Sequence, residues 1–199
     1  MKKLITFIAS ILSILSCGVN AGNVLPPNYP AFADSCNAGV FLTEEDFVHG
    51  VLSYKVNLNE KGNKVNIVFP ADLSFKVEIA TPDTTYKFTP GSIYGYADCG
   101  KVYRYFRGGK ELNAQRDFYK VEEIGAGLIL YSSELVSGNE TFYSTSLTAP
   151  IHRLTLQNLQ KDYGDRPEFI AAAKQLKKKP DGLSTRDREG FAVMKLRRF

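Results

Sequence analysis

The stretch SYKVNLNEKGNKVNIVF, residues 53–69, decides the fold class because its apolar and polar side chains alternate. Alternation with a period of two is typical of a β-strand that has one buried face and one solvent-exposed face. A polar turn at residues 60–63 separates two such runs. Their apolar positions are Tyr54, Val56, Leu58, Val65, Ile67 and Phe69. The sequence therefore predicts an antiparallel β-hairpin here.

Similar short runs continue along the chain as far as residue 145. The further predicted strands cover residues 73–79, 86–88, 92–96, 102–107, 118–122, 128–131 and 141–145. Pro90-Gly91 and Gly125-Ala126-Gly127 lie between strands and have the composition of turns. Short strands with frequent turns indicate a mainly β (α+β) fold, an antiparallel β sandwich or barrel with a small helical C-terminal section.

The pattern changes to helical spacing near residue 150. Asp165 is predicted to cap a helix that has Pro167 in its first turn and an apolar stripe from Phe169 to Leu176. Three lysines, at residues 177–179, would then lie at the helix C-terminus, where positive charge suits the helix dipole. Residues 184–199 fit either a helix or a last strand.

Residues 1–21 have the three parts of a secretory signal peptide. Lys2 and Lys3 precede an apolar run at residues 4–15, and the small-residue site Val19-Asn20-Ala21 follows. The run is shorter than the roughly 20 residues that span a bilayer. Cleavage after Ala21 would leave 178 residues (199 − 21) with a net charge of +2, because the segment removes two lysines and no acids.

The same segment has a second interpretation. Ile14-Leu15-Ser16-Cys17 resembles a bacterial lipobox, in which the cysteine is lipidated and becomes the mature N-terminus. Whether Cys17 is lipidated decides between a free exported protein and one anchored to a membrane. The predicted division of the chain is a signal peptide at 1–21, a Pro-rich segment at 22–35, an antiparallel β domain at 36–147 and a helical, basic section at 148–199.

Cys36 and Cys99 are the two cysteines that remain after cleavage. An even number of cysteines in an oxidising compartment favours a disulfide bond. Two cysteines and two distant histidines make a poor metal set, so the sequence predicts a Cys36–Cys99 disulfide and no metal site.

Four segments carry a resemblance to known sequences. They are FLTEEDFVHGVLSYKV (41–56), GSIYGYADCGKVYRYFRGG (91–109), FYKVEEIGAGLILYSS (118–133) and LTLQNLQKDYGD (154–165). They resemble a group of uncharacterised exported envelope proteins of Bacteroidota-like bacteria. The resemblance implies a location in the periplasm or at the cell surface of a Gram-negative bacterium. It supplies no catalytic residues.

Tyrosines are concentrated in the predicted strands: eight of the 11 lie between residues 86 and 143. On the strand 102–107, Tyr103 and Tyr105 share a face with Arg107. Tyrosine and arginine are favoured at binding hot spots, although aromatic residues also pair across strands in cores. The candidate binding residues are Tyr94, Tyr96, Tyr103, Tyr105 and Arg107, and core packing is the alternative.

No catalytic or cofactor motif emerges. The sequence lacks a nucleophile elbow, a Walker loop and a dinucleotide fingerprint, so no cofactor is indicated. His49 and His152 are far apart in the chain, and the neighbouring Glu122 and Glu123 are predicted to point to opposite faces of a strand. A glycosidase can use two carboxylates that are distant in sequence, so hydrolysis of an envelope polymer or glycan stays open.

Charge is distributed unevenly. Residues 174–199 carry nine basic and three acidic side chains, a net +6, whereas residues 22–173 carry 14 and 18, a net −4. A basic end suggests an anionic partner, and export argues against nucleic acid. The sequence thus favours a non-catalytic binding or structural role towards an envelope protein or glycan surface, with anionic membrane contact through the basic section.

Overall fold

The computed structural model describes residues 36–68, 76–107, 116–125, 127–133, 141–179 and 182–184. The predictions for the signal peptide, Cys17, the Pro-rich segment and residues 185–199 lie outside these ranges. In chain order the elements are β1(Asn37–Phe41), α1(Glu44–His49), β2(Tyr54–Asn57), β3(Lys64–Val68), β4(Lys76–Ala80), β5(Thr85–Phe88), β6(Gly95–Asp98), β7(Lys101–Arg107), β8(Arg116–Gly125), β9(Leu128–Ser133), β10(Thr141–Ser144), β11(His152–Arg153), α2(Leu156–Tyr163), α3(Pro167–Ala173), β12(Lys177–Lys179) and β13(Gly182–Ser184).

Eight antiparallel strands form the main sheet, in the order β11-β10-β9-β8-β7-β6-β1-β2. From β7 to β11 each strand pairs antiparallel with its predecessor in the chain. The sheet is open within the described residues, with β2 and β11 at its edges. The predicted mainly β fold is confirmed. The prediction allowed a sandwich or a barrel, and the described strands do not form a closed barrel.

A second sheet contains β3, β4 and β5, with β4 in the middle. The predicted hairpin at residues 53–69 is therefore wrong in its pairing, since β2 pairs with β1 and β3 pairs with β4. A turn at residues 58–63 carries the chain from one sheet to the other, and the Asn63 side chain closes it by donating to the Asn57 carbonyl oxygen at 2.9 Å. Alternation identifies which side chains share a face, but it does not choose the neighbouring strand.

Three apolar clusters hold these layers together. One lies between the two sheets and contains Val40, Val77, Ile79, Ile93, Tyr96, Tyr103 and Phe118. A second covers the opposite face of the main sheet, where Phe47 of α1 and Leu147 pack on the strands. The third joins β9 and β10 to the helices α2 and α3 through residues such as Leu130, Tyr143 and Phe169. The main sheet is thus covered on both faces by different parts of the chain.

In the C-terminal section, the helix α3 differs from the predicted helix at both of its ends. Arg166, not Asp165, is the N-cap of α3, and it makes no side-chain cap hydrogen bond, although Pro167 does occupy the first turn. The helix ends at Ala173, and residues 177–179 form β12, paired with β13. The predicted position of these lysines at the C-terminus of the helix is therefore wrong. The described part of the chain contains no helix long and apolar enough to cross a membrane.

Helix α1 was not predicted, although its boundaries follow from local chemistry. The Thr43 side chain accepts from the Asp46 amide, and the Asp46 carboxylate accepts from the Thr43 amide, which forms a capping box. Gly50 ends the helix in the left-handed conformation, with φ at 64°. The helix places Phe47 on the main sheet, in edge-to-face contact with Phe41 at 5.2 Å between ring centroids.

Candidate functional site

Two of the predicted binding tyrosines belong to the core. Tyr96 and Tyr103 are only 1% and 4% exposed, and their rings stack with centroids 4.4 Å apart. They lie directly opposite each other on β6 and β7, under the three-stranded sheet. They therefore cannot form an exposed binding surface, and the packing alternative describes them. The alternation along each strand does not reveal that a second sheet covers this face.

The other predicted residues have different surroundings. Tyr105 is half-buried against Phe118, with ring centroids 5.5 Å apart, and Arg107 is exposed at the end of β7. Tyr94 is on the opposite side of the main sheet, where it contacts Phe47 and the guanidinium of Arg104. The five candidates are thus divided between two faces, so the structure does not bring them together as one site.

Tyr94 belongs to a cluster organised by Arg104, a residue that the candidate set did not include. Arg104 is 3% exposed, and its guanidinium lies 5.4 Å from the Tyr94 ring centroid and 5.8 Å from that of Phe106. The Tyr94 hydroxyl donates to the Leu147 carbonyl oxygen at 3.3 Å. Burial raises the pKa of Tyr94 to about 12, against a smaller opposing effect of the nearby Arg104 charge.

The Arg104 guanidinium donates to main-chain oxygens of the segment that connects β10 to β11. The Ala149 carbonyl oxygen accepts at 2.8 Å and the Thr148 carbonyl oxygen at 3.0 Å. The Tyr131 hydroxyl lies 3.4 Å from the same guanidinium and 2.9 Å from the Ser144 hydroxyl. A planar guanidinium with several donors suits this bridging of carbonyl groups. We conclude that Arg104 positions the connecting segment on the sheet.

Exposed aromatic side chains occur elsewhere, where the two sheets meet at their edges. Tyr54 on β2 is 38% exposed and Tyr86 on β5 is 42% exposed, and their ring centroids are 5.1 Å apart. Phe88 completes the group at 5.2 Å from Tyr54. We call Tyr54, Tyr86 and Phe88 the aromatic seam. Within the described ranges, each of these two strands has a neighbour on one side of its sheet and none on the other.

The seam was missed because neither tyrosine stands out in the sequence. Tyr54 is flanked by Ser53 and Lys55, and Tyr86 by Thr85 and Lys87, so each reads as an ordinary strand position. Their contact joins residues from different sheets that are 32 positions apart (86 − 54). Among the described residues, the exposed large hydrophobic side chains are Leu42, Val51, Tyr54 and Tyr86. Two of these four therefore lie in contact.

The acidic and histidine residues occupy structural positions. Asp46 holds the α1 cap and accepts from the Ser53 hydroxyl at 2.7 Å, and these hydrogen bonds, Ser53 first, lower the pKa of its carboxyl group. Glu122 pairs with Lys120 and accepts from the Ser132 hydroxyl. His49 ends α1, and His152 lies beside Tyr143 with ring centroids 5.9 Å apart. No cluster of metal-ligating side chains is found within the described ranges.

The two carboxylates predicted to lie on opposite faces fall at a β-bulge. The register between β8 and β9 shifts between Val121 and Glu123, so strict alternation does not apply to this part of β8. The Glu123 side chain lies outside the described set, and the prediction about the pair stays untested.

The predicted Cys36–Cys99 disulfide is confirmed. It joins the residue before β1 to the two-residue turn between β6 and β7. Comparison of the chain with protein-family models, with curated proteins and with solved structures finds no match.

Proposed function

We propose that this protein is an exported, non-catalytic module that binds another protein of the cell envelope through the aromatic seam. The observation that carries the proposal is the contact between Tyr54 and Tyr86, two well-exposed tyrosines from different sheets. Exposed aromatic groups of this kind mark interaction sites more often than isolated apolar residues do. The proposal that the protein is exported rests on the signal-like residues 1–21, on the disulfide and on the resemblance to envelope proteins.

The strands that carry the seam favour a protein partner over a glycan. Both β2 and β5 are edge strands, and an edge strand offers backbone donors and acceptors to an extended segment of another chain. The rings of Tyr54, Tyr86 and Phe88 would provide the apolar contacts beside such a segment. The carboxylates Asp46 and Glu122 are engaged in local hydrogen bonds, which is why binding is preferred here to hydrolysis.

Site-specific photocrosslinking in cells tests the proposal. The photoreactive residue p-benzoylphenylalanine replaces Tyr86, and the matched control places it at Gln160, an exposed position on α2. We expect a protein adduct from position 86 that is absent from position 160 and that weakens when Tyr54→Ser is added. An adduct that stains for carbohydrate and resists protease would indicate a glycan instead. No adduct at position 86 above the control would contradict the proposal.

We further propose that the basic section contacts an anionic surface. The supporting observation is the net +6 of residues 174–199. Each lysine or arginine near an anionic membrane contributes about 1 kcal/mol, and salt weakens the attraction. The mature protein should therefore cosediment with anionic vesicles at low salt better than a version that ends at Gly182. Equal binding of the two versions would exclude residues 183–199 as the contact.

A further inference from the structure

We propose that the Cys36–Cys99 disulfide is a thiol–disulfide exchange site that an external dithiol opens in the folded protein. This exchange is separate from binding through the aromatic seam and does not depend on it. It rests on the position of Cys99, on the conformation of its turn and on the pairing of the strands that the bond connects.

Cys99 lies at an exposed hairpin tip. The strands β6 and β7 pair up to Asp98 and Lys101, so Cys99 and Gly100 alone make the turn. Cys99 is exposed, whereas Cys36 is half-buried beside the sheet. Access to sulfur is one of the factors that decide the rate of exchange. We therefore expect an incoming thiolate to attack the Cys99 sulfur.

The turn holds Cys99 in an unfavourable conformation. Its φ is 46°, the one positive φ of a non-glycine residue in the described part of the chain, and Gly100 follows at 85°. Two successive positive φ values are the signature of a type I′ turn, which favours Asn-Gly and similar pairs. Both the turn and the crosslink constrain Cys99 in the oxidised protein, and only the turn does so after reduction. The turn thus holds Cys99 at the tip of the hairpin both before and after the bond opens.

Opening does not require the sheet to unfold. The strand β1 that follows Cys36 lies inside the sheet, paired with β2 on one side and β6 on the other. Its residues Ala38, Val40 and Phe41 are fully buried. The Cys36 carbonyl oxygen accepts from the Leu58 amide at 2.9 Å, and the Cys99 amide donates to the Asn37 carbonyl oxygen at 3.3 Å. These contacts are independent of the sulfur–sulfur bond.

The exchange consumes one dithiol for each bond. A thiolate of the dithiol attacks Cys99 Sγ and forms a mixed disulfide, while the electron pair of the broken bond leaves on Cys36 Sγ, which takes up a proton. In the mixed disulfide, one sulfur atom of the reagent is bonded to Cys99. The second thiol of the reagent then attacks that sulfur atom and releases Cys99 as a thiol. The protein gains two electrons and two protons, and the dithiol becomes a cyclic disulfide.

The test measures the rate at which dithiothreitol reduces the mature protein at urea concentrations below the unfolding transition. Attack on the folded state should give a rate that changes by less than about twofold over this range. A rate limited by global unfolding should instead rise about tenfold for each molar of urea, because unfolding free energy falls linearly with denaturant. That steep dependence would overturn the proposal.

A second measurement identifies the sulfur that is attacked. A monothiol, glutathione, replaces the dithiol, and alkylation traps the products for peptide mapping. We expect glutathione on Cys99 and the alkyl group on Cys36. Glutathione mainly on Cys36 would overturn the assignment of Cys99 as the attacked residue. The double variant Cys36→Ser, Cys99→Ser gives the background of both assays.

Discussion

At Gly95, on β6, the main chain of β7 comes so close that a side chain has no room. A Cβ placed there would lie 2.3 Å from the Tyr103 carbonyl oxygen and 3.0 Å from the Phe47 ring. Because neither the backbone of β7 nor a buried ring can move easily, Gly95→Ala should lower the free energy of unfolding by about 2–3 kcal/mol. Urea denaturation followed by circular dichroism measures this change.

Gly91→Ala is the matched control for Gly95→Ala. Gly91 has a φ of 89°, and no atom lies within 4 Å of the point that a Cβ would occupy, so an alanine there meets backbone strain but no collision. Gly91→Ala should lower the free energy of unfolding by about 1 kcal/mol. If both variants lost the same stability, steric contact with β7 would not be the reason for glycine at position 95.

Tyr94 gives the protein a pH dependence in the alkaline range. Burial raises its pKa from 10.0 to about 12, so the folded state keeps the phenol proton that the unfolded chain loses. The stabilisation is present below pH 10 and disappears as pH rises towards 12. The melting temperature of the wild type should therefore fall more steeply between pH 10 and 12 than that of Tyr94→Phe. If the melting temperatures of the two proteins fell in parallel over this pH range, Tyr94 would not contribute to the pH dependence of stability.

At the scale of elements, Arg104 links β7 to the segment between β10 and β11. In Arg104→Met the carbonyl groups of Thr148 and Ala149 lose charged donors at a partly buried site. The expected loss of stability is about 2–4 kcal/mol. Arg107→Met, at an exposed position on the same strand, should change stability by less than about 0.5 kcal/mol. Chemical denaturation compares the two variants.

Amide hydrogen exchange separates a local from a global effect of Arg104→Met. We expect faster exchange of the amides of residues 145–149 at a denaturant concentration where the strands remain protected. Unchanged exchange in this segment would mean that Arg104 contributes to core packing but does not position the segment.

At the scale of the whole molecule, the disulfide joins parts of the chain that are 63 residues apart. Removing a crosslink over a loop of this length increases the entropy of the unfolded chain and costs about 4 kcal/mol. The double variant Cys36→Ser, Cys99→Ser should therefore have a free energy of unfolding lower by about 4 kcal/mol and unfold at a lower urea concentration. The reduced wild type is its control and should match it. A midpoint equal to that of the oxidised protein would show that the bond adds no stability.

The sequence by itself determined which residues form most of the strands, and it paired Cys36 with Cys99. It also contained the signals for α1, Thr43 and Asp46 at its start and Gly50 after it, although the helix was not predicted from them. These properties are local, since alternation, capping and turn formation depend on residues close together in the chain. The disulfide needed no geometry, because the two cysteines outside the predicted signal peptide leave one pairing.

Only the tertiary structure decided which strands are neighbours and which tyrosines reach solvent. The strands β2 and β3 look like one hairpin but belong to different sheets. Tyr96 and Tyr103 resemble Tyr54 and Tyr86 in sequence, yet the first pair is buried under the second sheet and the second pair is exposed at its edge. Burial and strand pairing depend on contacts between residues far apart in the chain, and a pattern of adjacent residues does not encode those contacts.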